Sequence, residues 1–115
     1  MTSEDLLKLT ETTLDDMKAM EVVTLNVKDI TSIADYMVIC SGNSTRHVKA
    51  IARELVNQVK QSGIRPLGVE GEQEAEWVLV DLADIVVHIM LPKTRDFYNL
   101  EKLWGTVEEP VAQES

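Results

Sequence analysis

The chain has 115 residues, 44% of them hydrophobic and 27% charged, which is one domain's length and too apolar a composition for a disordered chain. Twenty acids against eleven bases leave a net charge of −9, a surface that repels a phosphate backbone unless its bases gather on one face and that suits a basic partner. One cysteine, Cys40, and two histidines, His47 and His88, exclude an internal disulfide and argue against a four-ligand zinc site, and no apolar run approaches the roughly 20 residues of a membrane helix.

The acid-led start, Met1–Asp5, fits neither a secretory signal nor an Arg-rich transit peptide, so the expected compartment is the cytoplasm. Leu6, Leu7, Thr10, Leu14 and Met17 recur at helical spacing and predict an amphipathic helix over Ser3–Met20, with Glu4 and Asp5 in the first turn where the helix dipole favours acids. Val22–Val27 alternates and reads as a strand; after a loop, the unbroken apolar run Tyr36–Cys40 reads as a strand buried on both faces. Ser41-Gly42-Asn43-Ser44 opens a second helix that runs to about Ser62, with Val48, Ile51, Ala52, Leu55, Val56 and Val59 as its apolar stripe and Gly63 as its stop. A short strand near Pro66–Val69 completes a crossover, two more strands follow at Glu76–Val80 and Ile85–Leu91, and Pro92 starts a last helix, Lys93–Trp104, ended by Gly105. Residues 106–115 hold three acids, a proline and little to bury, and are expected to be a disordered acidic tail beyond a domain spanning 1–105. The fold class is α/β: a single domain with a mixed sheet of about five strands and three flanking helices.

The last two strands carry the sharper inference. A hairpin with Val80 opposite Ile85 pairs Val78 with Val87 and Trp77 with His88. Val78, Val80, Ile85, Val87 and Ile89 then form one wholly apolar face, which must be core, while Trp77, Leu79, Asp81, Val86, His88 and Met90 share the other. That second face is either a partner-binding surface or is covered by a helix, with Trp77 as core and His88 satisfied inside. Between Gly68 and Asp84 stand Glu70, Glu72, Glu74, Glu76, Asp81 and Asp84 with no base, an acidic border suited to a basic protein. In the last helix Phe97, Leu100 and Trp104 are spaced for the core, and Tyr98 and Lys102, four apart on another face, are placed to point outward.

Catalytic and nucleic-acid chemistry is weaker here. Ser41–Ser44 matches neither the Walker nor the dinucleotide fingerprint and is better explained as helix capping by Asn43 or Ser44. Asp81 and Asp84 define an alternative reading, a nucleotidyl- or phosphoryl-transferase with a divalent metal, although paired carboxylates at a turn more often shape the turn. Arg46, Lys49, Arg53 and Lys60 fall near one helix face, but four charges against −9 are few, so the face reads as solvated and any direct RNA contact as minor.

The motif Asp35-Tyr36-Met37-Val38-Ile39-Cys40-Ser41-Gly42 with Ser44 and Arg46-His47 resembles the ribosomal silencing factor family, also called the Iojap family. So do Gly68-Val69-Glu70-Gly71 followed by Trp77, Asp81 and Asp84–His88, and then Arg95, Tyr98, Leu100-Glu101 and Leu103-Trp104. The resemblance runs from about Asp29 to Trp104, three blocks in the family's order. It implies a nucleotidyltransferase-like fold without that superfamily's catalytic acids, hence no enzyme and no cofactor. It further implies a translational repressor that binds the large ribosomal subunit through a basic ribosomal protein, the fourteenth of its series, and blocks joining of the small subunit when nutrients are scarce, with related organellar proteins linked to subunit assembly. A homodimer of the free protein is a family trait. Trp77, Asp81, His88 and Tyr98 match family positions; with Leu79, Met90, Glu70 and Lys102 they form the expected partner-facing set.

Overall fold

A computed structural model describes residues 1–100 and residue 102. Five strands form one mixed sheet: β1 (Met20–Asn26), β2 (Tyr36–Ser41), β3 (Gly68–Glu70), β4 (Trp77–Asp81) and β5 (Ile85–Met90), in the spatial order β1-β2-β5-β4-β3. Only β2 and β5 pair in parallel; the other neighbours are antiparallel. The helices are α1 (Ser3–Asp16), α2 (Thr45–Gln61) and α3 (Pro92–Tyr98). The expected single α/β domain with a five-stranded mixed sheet is what forms. The crossover from β2 through α2 ends at the far edge, with β5 and β4 lying between β2 and β3.

Local chemistry explains the boundaries. In α1 the Thr2 hydroxyl accepts the Asp5 N–H and the Asp5 carboxylate accepts the Thr2 N–H, a reciprocal cap. The helix stops at Asp16, four residues before the sequence expectation, because Lys18 turns with φ 60 to deliver Met20 to the sheet. In α2 the Ser44 hydroxyl accepts the His47 N–H, so capping does account for the Ser41–Ser44 loop. Its other end is a Schellman motif: Gly63 at φ 87 and Ile64 donate to Lys60 and Val59 carbonyls, as the glycine stop predicts. His47 holds α1 to α2: its Nδ1 accepts the Asn43 N–H, so its Nε2–H donates to the Met17 carbonyl 2.8 Å away.

Two expectations need correction. The β4–β5 register places Trp77 opposite Met90, Val78 opposite Ile89 and Val80 opposite Val87, two residues from the predicted pairing. The turn centres on Ala83 (φ 74), whose neighbours close it through Asp84 N–H to Leu82 O and Leu82 N–H to Ile85 O. A shift of two leaves every side chain on its predicted face. The last helix is also shorter: Asn99 adopts a left-handed conformation (φ 48, ψ 53) and ends α3 at Tyr98. Phe97, expected in the core, is 80% exposed, while Leu100 packs on the sheet as expected. Trp104, the stop at Gly105 and the tail 106–115 lie outside the described residues.

The sheet has two unequal sides. On one, Val38, Cys40, Val78, Val80, Ile85, Val87 and Ile89 pack against Leu6 and Leu14 of α1 and Val48, Ile51, Leu55 and Val59 of α2. On the other, Val27, Met37, Ile39 and Met90 form a smaller cluster with Trp77 and Leu100 at its margin. Among the described residues no helix is long and apolar enough to cross a membrane.

Two outcomes follow from the core. Thr10 is fully buried and its hydroxyl has no partner among the described residues. Thr10→Val, which removes a buried donor at nearly constant shape, is expected to raise unfolding stability by about 1 kcal/mol in urea titration. Burial pushes the Cys40 thiol up to about 12, against the opposing pull of the Arg95 charge. The native protein at pH 8 is expected to resist an aromatic disulfide reagent, with full reaction only in denaturant.

Candidate partner-binding face

Cross-strand rows define the side of the sheet that faces away from α1 and α2. Glu70, Leu79, His88, Ile39 and Val23 stand side by side across all five strands, and Trp77, Met90 and Ser41 form the next row but one beyond Leu79 on the same side. The expected grouping of Trp77, Leu79, Asp81, Val86, His88 and Met90 is therefore a real face.

Trp77 is its centre. At the start of β4 it is half-buried, and its indole Nε1–H donates to His88 Nδ1 at 3.0 Å across the diagonal of the β4–β5 pair. That bond requires a neutral His88 with its proton on Nε2. Burial favours the same state, moving the His88 pKa from 6.5 to about 4. The Tyr98 ring lies 4.8 Å from the Trp77 ring, and Phe97 meets Tyr98 edge-on at 5.0 Å. Gly71 (φ 84) brings the preceding loop tightly over this strand, since a Cβ there would collide with the Trp77 carbonyl oxygen. The loop thus sets Glu74 and Glu76 beside the indole. Gly71, Gln73, Glu74, Glu76, Trp77, Thr94 and Tyr98 enclose a hollow of about 400 Å³ with an aromatic wall and a carboxylate rim.

Arg95 holds the other wall in place. Its side chain is buried, and Nη1 donates to Ser41 Oγ at 3.1 Å and lies 3.5 Å from the Met20 carbonyl, at the end of the sheet. This fixes α3 and so the position of Tyr98, three residues on. Arg95 and Gly71 stand in the sequence only as parts of motifs; their positioning roles depend on contacts remote in the chain.

The predicted residues divide. Trp77 and Tyr98 come together at the hollow. His88 and Met90 share the face but are buried, 6% and 0% exposed, so they brace Trp77 from below and are not presented, contrary to expectation. Leu79 and Asp81, both half-buried, instead line a second, mostly apolar hollow of about 270 Å³ with Val27, Ile33, Tyr36, Met37 and Val86. Glu70 is exposed on the edge strand beside Leu79. Tyr98 and Lys102 are both exposed, as their expected outward placement requires, although Asn99 ends α3 between them. Asp81 Oδ1 accepts the Ala83 N–H inside the turn, and Asp84 Oδ2 accepts the hydroxyl of Ser3 at the start of α1, so one carboxylate shapes the turn and the other ties it to the first helix. Among the described residues no group of three or more His, Cys, Asp or Glu is placed to hold a metal ion.

The buried imidazole makes stability pH-dependent. The unfolded chain binds a proton at His88 near 6.5 and the folded one only near 4, so the contribution is complete above about pH 7 and is lost as pH falls through that window. Wild type minus His88→Gln, followed by urea unfolding at pH 7, 5.5 and 4, is expected to shrink by about 3 kcal/mol from the first to the last.

The family model for "ribosomal silencing factor during starvation" matches residues 1–115. A ribosomal silencing factor of Halalkalibacterium halodurans is 49% identical over 105 residues, 91% of this chain and 90% of that one. A crystal structure from Chromobacterium violaceum, 40% identical, superposes with a TM-score of 0.90 over 91% of this chain and 88% of that one. A mouse protein named for mitochondrial assembly of the ribosomal large subunit is 39% identical over 89 residues, 75% of this chain and 39% of its own. Sequence and fold together show that the chain belongs to the ribosomal silencing factor family.

Proposed function

We propose that the chain is a cytoplasmic translational repressor that docks on the large ribosomal subunit through a basic ribosomal protein, the fourteenth of the large-subunit series, and keeps the small subunit from joining. The observation that carries this reading is the hollow between Trp77 and Tyr98. Its aromatic wall gives a desolvated anchor, and Glu74 and Glu76 at its rim attract a Lys or Arg side chain into contact with the ring faces. Such a site rewards a basic protein and repels bare phosphate. The family's name supports silencing during starvation, and the mouse relative's name supports the large subunit.

Repression of this kind needs no bond making. A protein seated at the interface excludes the second subunit by its volume alone. The engagement of Asp81 by the Ala83 N–H and of Asp84 by the Ser3 hydroxyl supports this non-enzymatic reading over a metal-dependent transferase.

Co-sedimentation with separated subunits at near-physiological salt tests the proposal. The protein is expected to pellet with large subunits only and to suppress subunit joining when added first. Trp77→Ala is expected to weaken that binding by about 2 kcal/mol, roughly thirtyfold. Tyr98, 53% exposed, provides a variant with little burden on folding, and Tyr98→Ala is expected to weaken binding in the same direction. Folded variants that bind like wild type would remove the Trp77 face from the interface.

A further inference from the structure

We infer that the outer side of α2 is a second docking surface, one that takes the phosphate backbone of RNA. The net charge of −9 conceals an uneven distribution. Residues 43–69 hold five bases and one acid, Glu54; the rest of the chain holds six bases and nineteen acids. On α2, Arg46, Lys49, Arg53 and Lys60 stand at offsets 0, 3, 7 and 14, which at 100° per residue confines them to an arc of about 60° over about 21 Å of helix. The buried stripe Val48, Ile51, Leu55 and Val59 occupies the opposite side of the helix and packs on the sheet, so the bases point away from the protein. Arg46, Arg53 and Lys60 are exposed and Lys49 is half-exposed.

Arg65 extends the stripe. With Lys60 it lines a hollow of about 590 Å³ where the chain leaves α2 for β3. Of these five bases only Arg53 has an ion pair among the described residues, with Glu72 at 3.4 Å, and Glu54 lies off the stripe and accepts a hydrogen bond from Gln58. Arg46, Lys49, Lys60 and Arg65 have no ion pair among the described residues, which leaves a local positive field that a polyanion would meet with release of its own counterions. Its length suits successive phosphates of one strand, and because it consists of charge without exposed aromatic rings, it fits backbone contact and not base reading. The acidic Trp77 hollow lies on the opposite side of the sheet from α2, so the two surfaces serve different partners. The proposal rests on the ribosome reading for which RNA is met, but not for the chemistry of the surface.

The test uses the full chain and a pair of variants with equal charge change: Arg46→Glu/Lys60→Glu on the stripe, and Lys8→Glu/Lys18→Glu away from it. Binding to large subunits is measured across a salt series. The stripe variant is expected to lose affinity severalfold and to flatten the slope of log K against log salt by about 1.5, as loss of two phosphate contacts requires. The control variant and Trp77→Ala are expected to keep the wild-type slope. Equal slopes for both double variants would overturn the proposal, and so would an equal loss in both, which reports only net charge. If wild type does not bind large subunits, the ribosome reading fails by itself. Titration of a labelled RNA hairpin at low salt then decides: binding abolished only by the stripe substitutions upholds the surface, and no binding, or binding insensitive to them, overturns it.

Discussion

The rest of the structure depends on one buried strand. β5 is hydrogen-bonded along both edges and covered on both faces, and its alternation divides the protein. Ile85, Val87 and Ile89 enter the core under the two long helices, while His88 and Met90 go to the other side. A histidine in the middle of such a strand has to be neutral and hydrogen-bonded, because an unpartnered or charged imidazole there costs several kcal/mol. The Trp77 N–H meets that requirement. In doing so it fixes the indole, against which Tyr98 then stacks. The exposed aromatic site is thus a consequence of how a buried polar group is satisfied.

This arrangement separates rigidity from recognition. The side carrying α1 and α2 contains most of the buried apolar residues and sets stability. The opposite side has a thin cover, α3, held by the buried Arg95 against the end of the sheet. Recognition groups therefore sit on a support that does not have to reorganise when they are covered, which lowers the entropic cost of association. The charges are sorted by the same division: carboxylates gather in the loop between β3 and β4, and bases along the outer side of α2.

Much of this was legible in the chain. The apolar stripe of α2 and its Gly63 stop, the doubly buried Tyr36–Cys40 run and the two faces of the final hairpin follow from periodicity alone. The hairpin is instructive, because the pattern predicts its two faces while the observed register differs from the expected pairing by two residues; side-chain parity has period two, so an even slip is silent. Around Phe97 the helical spacing continues through Leu100 and Trp104 and so predicts one longer helix, yet Asn99, a residue that tolerates the left-handed conformation, ends α3 between Phe97 and Leu100. A buried His88 is one of two readings the pattern leaves open, whereas the burial of Met90, the separation of Leu79 from Trp77 into another hollow, and the positioning role of Arg95 are not legible. Each is decided by which element lies across the sheet, and no local pattern encodes strand order or the landing point of α3.

The edges of the sheet carry a last consequence. β1, at one edge, is interrupted between Met20 and Val23 by a bulge where Glu21 has φ 47. β3, at the other, has only three residues and follows Pro66 closely. The bulge in β1 and the shortness of β3 limit the straight row of free backbone groups that either edge offers to a strand from another molecule. The fold thereby disfavours edge-to-edge pairing between copies, even though its five strands are rich in valine and isoleucine.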